Sequence, residues 1–151
     1  MFRISRLTDY GTLILVDLAE QEGRLCSASG VAAGTHVAPP TVQKLLKLLA
    51  RAALVESVRG ADGGYRLARS PRRISAAQIL DALEGPVAIT ECSTEESRCE
   101  LESLCHVGST WQRINSALRV ALSDISLADL GRPSADIAPM ELGKYRDDAR
   151  E

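Results

Sequence analysis

Residues 35–70, "THVAPPTVQKLLKLLARAALVESVRGADGGYRLARS", restrict the fold more tightly than any other stretch of the chain. Two successive prolines are tolerated in the first turn of a helix but not in its interior, so a helix must begin at Pro39 or Pro40. Past them, Val42, Leu45, Leu46 and Leu49 recur at i, i+3, i+4 and i+7, the spacing of a buried helical stripe. Thr41, Gln43, Lys44, Lys47 and Arg51 fall outside that stripe or on its flanks. "LVESVRGADGGYRLARS" then reads as strand, reversal, strand, with Gly60, Gly63 and Gly64 supplying the backbone freedom of a tight turn.

The flanking segments extend this pattern. Thr8 is placed to cap a first helix, marked on one side by Tyr10, Leu13, Ile14, Asp17 and Leu18 and ending near Gly23. A short second helix is expected from Ser27 through Val31 and Ala32 to about Gly34. "ISAAQILDALEG" reads as a helix with a Ser75–Gln78 capping box and a stop at Gly85. In "WQRINSALRVALSDI", Trp111, Ile114, Leu118, Ala121 and Ile125 make a heptad seam, which packs on a partner helix or within the subunit. "SLADLG" adds a last short turn, and the polar remainder with two prolines predicts a disordered tail. The expected fold is mainly α with a small β-hairpin wing. It divides into a winged helix-turn-helix over 1–85, a cysteine-bearing loop over 86–106, a long helix and short terminal helix over 107–130, and a tail over 131–151.

The formal net charge of −2 hides a local excess: residues 38–73 hold 8 basic and 2 acidic side chains, or +6. That excess suits a polyanion. In a winged helix-turn-helix the third helix enters the major groove of double-stranded DNA. Gln43 then suits an adenine edge, and Arg59 a guanine edge or a narrow minor groove. Lys44, Lys47, Arg51, Arg66 and Arg69 suit phosphates, while Gly63, Gly64 and Tyr65 belong to the wing. The competing reading of Lys44, Lys47 and Arg51 is a solvated face. No run of about 18 apolar residues exists, so no membrane span is expected. Asp9, Asp17 and Glu20 interrupt the apolar N-terminal stretch, which argues for a mature helix rather than a signal peptide and for a cytoplasmic protein. With only His36 and His106 and no nucleophile–base arrangement, neither an enzyme nor a small-molecule substrate is expected. "GADGGY" turns between strands and does not open a helix, so it is no nucleotide loop.

"ECSTEESRCELESLCHVGSTW" places Cys92, Cys99 and Cys105 in a polar segment with the spacing C-x6-C-x5-C. In a reducing compartment such clustered thiols point to metal or redox chemistry rather than disulfides. Thiolates are the usual ligands of iron–sulfur clusters, and three of them leave one position for another donor. Zinc competes on spacing alone. Cys26, distant in sequence, reads as a small packed residue.

"RISRLTDYGTLILVDLA", "LLKLLARAALVESVRGADGGYRLAR", "ISAAQILDALEG" and "CHVGSTWQRINSALRVALSDISLADL" resemble the bacterial winged-helix iron–sulfur and redox-responsive transcriptional regulators, the IscR/NsrR-like family. The likeness spans about residues 1–130 and is strongest to the branch regulating the SUF iron–sulfur assembly genes. The resemblance implies a homodimeric repressor whose helix over roughly 107–125 crosses its twin. It further implies a cluster held by Cys92, Cys99 and Cys105 whose occupancy or redox state switches DNA affinity. One family pattern takes its fourth ligand from a histidine three residues past the last cysteine. Here Gly108 stands there, and the histidine, His106, directly follows Cys105. Another pattern uses an aspartate near the N-terminus, supplied across the dimer, and Asp9 of "LTDYG" matches it. The resemblance therefore implies Asp9 from the partner subunit, with His106 the alternative. The SUF-like branch implies [2Fe–2S], and the aspartate pattern admits [4Fe–4S]. The alternatives are a zinc-stabilised DNA-binding or protein-docking module, a nitric-oxide or redox sensor acting on other genes, and a small electron carrier.

Overall fold

The computed structural model describes residues 4–90 and 107–132. Helices α1 (Arg6–Glu20), α2 (Ala28–Thr35) and α3 (Pro39–Arg51) precede a hairpin of β1 (Val55–Val58) and β2 (Gly64–Leu67). A 3-10 turn (Pro71–Arg73), α4 (Ala76–Leu83), α5 (Gly108–Asp124) and α6 (Leu127–Leu130) follow.

The α3 stripe is the centre of the core. Val42, Leu45, Leu46 and Leu49 are all 0% exposed and pack with Ile14 and Leu15 of α1 and Val31 of α2. Ile79 of α4 and Leu127 of α6 join the same cluster, as does Ile74 just before α4. Burying one such aliphatic side chain stabilises by roughly 1.5–3 kcal/mol. Pro39 and Pro40 occupy the first positions of α3, where they remove two of the amides that a helix start leaves unbonded. The next amide, Thr41 N–H, donates to Ala38 C=O at 2.9 Å.

The start of α1 differs from expectation. Ser5, not Thr8, is the cap, and its Oγ accepts from Thr8 N–H at 3.3 Å. Thr8 lies inside the helix, 2% exposed, with its hydroxyl donating to the Glu84 carboxylate. Glu84 also accepts from Ser5 N–H at 3.1 Å, and the Ser5 and Thr8 hydrogen bonds hold its carboxyl below the usual range. A side chain 76 residues away thus completes the α1 cap.

The antiparallel hairpin pairs Val55 with Leu67 and Val58 with Gly64. Cys26, just before α2, adds a third strand for a single rung. Its N–H donates to Tyr65 C=O at 2.9 Å, and Tyr65 N–H donates back at 2.8 Å. Glycine is required beside it, because a Cβ at Gly64 would lie 2.7 Å from the Cys26 carbonyl oxygen.

The expected Ser75–Gln78 capping box opens α4. α5 ends at Asp124, so Ile125, with φ −90° and ψ 119°, is not helical and the expected seam stops at Ala121. Extended backbone there lets Ile125 C=O accept from Ala76 N–H at 2.8 Å, while Leu127 N–H donates to Ile74 C=O at 2.7 Å. No helix among the described residues is long and apolar enough to cross a membrane.

Candidate nucleic-acid interface and metal-ligating residues

α2 and α3 are joined by only His36, Val37 and Ala38, the short connection of a helix-turn-helix. With its apolar stripe buried, α3 turns Gln43, Lys44, Lys47 and Arg51 outward, all exposed, with Thr41 half-buried in the first turn. Arg59 is exposed in the reversal between β1 and β2. Lys44, Lys47, Arg51 and Arg59 make no ion pair among the described residues, so their charge is not neutralised locally. Arg66 differs: its Nε lies 2.9 Å from Glu56, its cross-strand partner.

The remaining predicted residues shape the wing. Gly64 is buried against Cys26, and Tyr65 packs on the core while its backbone makes the Cys26 rung. Gly63 lies in the reversal, where a Cβ would come 2.2 Å from the Val58 carbonyl oxygen. Arg69 is half-buried, and its Nε has no hydrogen-bond partner. Arg72 and Arg73, exposed in the 3-10 turn, were not among the expected contacts although the charge count contained them. The tie between Cys26 and Tyr65 had no sequence signal. A polar helix face whose cations have no ion-pair partner among the described residues, together with Arg59 in the reversal, can place donors against phosphates and base edges.

Of the expected metal ligands, Cys92, Cys99, Cys105 and the alternative His106 lie outside the described residues. Asp9 is exposed in the first turn of α1, and among the described residues its carboxylate has no hydrogen-bond or ion-pair partner. It borders a groove lined by Ile4, Thr12, Leu122, Ile125 and Leu130, between α1 and the end of α5. A free carboxylate fits the fourth position that three thiolates leave, for an iron–sulfur cluster or for zinc alike. Cys26 does not fit: burial pushes its thiol pKa up, with Asp17 adding to the shift, so it is a poor thiolate. Among the described residues no three His, Cys, Asp or Glu side chains gather as a metal site.

Comparison with known proteins matches residues 4–133 to the Rrf2 family model, described as an iron-dependent transcriptional regulator. The HTH-type transcriptional regulator CymR of Bacillus subtilis is 33% identical over 129 residues, covering 85% of this chain and 88% of CymR. The structure of CymR, described as the global cysteine regulator of B. subtilis, superposes with a TM-score of 0.65 over 87% of this chain and 97% of that one. The structure of IscR from T. potens gives a TM-score of 0.64 at 30% identity, covering 91% of this chain and 93% of the other.

Proposed function

The chain belongs to the Rrf2 family of winged-helix transcriptional regulators, and we propose that it is a homodimeric repressor of iron–sulfur assembly genes, switched by a cysteine-ligated iron–sulfur cluster. The observation that carries the DNA-binding half is the outward face of α3, where Lys44, Lys47 and Arg51, like Arg59 of the wing, have no ion-pair partner among the described residues. Gln43 and Thr41 face base edges, Arg59 enters a groove, and Lys44, Lys47, Arg51 and Arg66 bind phosphates. Gly63, Gly64 and Tyr65 hold the wing in shape.

Cys92, Cys99 and Cys105 hold the metal group, and Asp9 of the opposite protomer completes the set, with His106 the alternative donor. When bound, an iron–sulfur cluster, [2Fe–2S] in the first instance or [4Fe–4S], supplies a redox-active and degradable centre. Asp9 engaged in this way ties the α1 of one protomer to the cysteine segment of the other. That tie restrains the separation of the two α3 helices, which must match half-sites about one helical turn apart. Asp9 released leaves the two domains free to reorient and shifts the population competent for DNA.

The test is anaerobic purification followed by iron, sulfide and zinc analysis and a binding titration on a duplex selected from a random pool. Matched iron and sulfide with salt-dependent binding support the proposal. One zinc per chain with sequence-selective binding leaves a zinc-stabilised regulator, and metal without DNA binding leaves an electron carrier. The 33% identity to CymR, described as a global cysteine regulator, supports a second reading in which the regulated genes are cysteine-responsive. The promoter the protein occupies separates the two.

A further inference from the structure

α5 has no fully buried residue, whereas α1 and α3 are anchored by core side chains. Half-buried Ala117, Leu118, Ala121 and Leu122 and a set of polar ties set its direction, and three of the ties run antiparallel to the segment from Ala76 to Ile89. At the C-terminal end Ile125 C=O accepts from Ala76 N–H. At the middle the Arg119 guanidinium forks onto the Asp81 carboxylate, Nη1 to Oδ1 at 3.0 Å and Nη2 to Oδ2 at 2.7 Å. Toward the N-terminal half Asn115 Oδ1 accepts from Ile89 N–H at 3.1 Å. Beyond that point Val107, Trp111 and Ile114 are 59%, 42% and 44% exposed.

α4 is fixed to the recognition helix α3, since Ile79 shares the core cluster with Leu45, Leu46 and Leu49. The overhanging apolar stripe connects to α3 through the α4–α5 junction, and no α5 side chain is buried in the core. We infer that the Asp81–Arg119 fork is a positioning element that sets the angle at this junction, and with it the half-site spacing the dimer accepts. This rests on the homodimer reading above. From Arg119 to Val107 is about 18 Å of helix, so a tilt of about 10° moves the tip by about 3 Å. That is close to the rise of one base pair, about 3.4 Å. A two-pronged pair resists such a tilt where a single contact would allow rotation. Asp81 and Arg119 side chains are 29% and 46% exposed, so removing the pair leaves the fold intact.

The experiment measures affinity for the selected duplex and for versions with one or two base pairs added to or removed from its spacer, and for a single half-site. Wild type should prefer one spacing by about tenfold or more per base pair, in line with a 1.4 kcal/mol difference. Asp81→Ala and Arg119→Ala should flatten that preference to about threefold or less, with single half-site affinity unchanged. Exchanging the charges, Asp81→Arg with Arg119→Asp, should restore it. Variants that keep the wild-type spacing preference overturn the inference, as do variants that weaken every duplex equally. Wild type with no spacing preference removes the homodimer reading and the inference with it, which distinguishes the two failures.

Discussion

α3 and α5 carry apolar residues at the same spacing of three and four, yet they meet opposite fates. Val42, Leu45, Leu46 and Leu49 on α3 are 0% exposed, whereas on the α5 seam Trp111 and Ile114 are 42% and 44% exposed and Leu118 and Ala121 only half-buried. The first stripe is satisfied inside one chain, between α1, α2 and α4. The second belongs to a helix with no buried residue, tied to α4 by the Asp81–Arg119 pair among other contacts, and it leaves apolar surface of the kind that marks an interaction site. Amphipathic spacing says that a face is to be covered; it does not say by what.

The difference makes the two helices respond differently to mutation. Leu46→Ala should cost about 2–5 kcal/mol of stability, read from thermal or denaturant unfolding, because it opens a cavity in the core. Trp111→Glu with Ile114→Glu should leave the helical content of the monomer intact but halve the molar mass in light scattering. A loss of fold comparable to that of Leu46→Ala would show that α5 is core rather than interface. On the polar face of α3, Gln43→Ala should cost about 1–3 kcal/mol of binding and relax base preference at one position. Lys47→Ala should instead weaken all duplexes alike and reduce the salt slope by about one phosphate's share, roughly 0.9.

How far each helix could be read from sequence follows the same division. Pro39–Pro40, the 42–45–46–49 stripe, the glycine-rich reversal and the Ser75–Gln78 box are local signals, and each appears where the spacing placed it. What escaped depended on residues far apart in the chain. Ser5 caps α1 because Glu84 is there to take Thr8, and Cys26 joins the wing because Tyr65 presents a free rung. Ile125 left the seam because its carbonyl is used by Ala76. Of the candidate sites, the exposed cations of α3 and the wing are legible as a charge excess, while the exposure of Asp9 without a partner among the described residues shows only with its surroundings in place.

Two smaller effects sharpen the account of the α1 end. Ser5→Ala should destabilise by about 1 kcal/mol, within the usual range for a lost cap. Glu84 has its carboxyl pKa lowered in the folded protein. Its stabilisation is therefore full above the ordinary glutamate range near pH 4.3 and is lost as pH falls through the lower folded value. The melting-temperature gap between wild type and Glu84→Gln should be constant at neutral pH and close on acidification. A gap that widens in acid would show the opposite shift.

The most direct test of the central claim is DNA affinity measured anaerobically, on one selected duplex, before and after the iron is chelated. The account predicts that affinity changes by about tenfold or more with iron removal. It predicts further that Cys99→Ala behaves like the chelated protein from the start. Equal affinity in all three preparations would contradict it, leaving a DNA-binding protein whose cysteines do not control it.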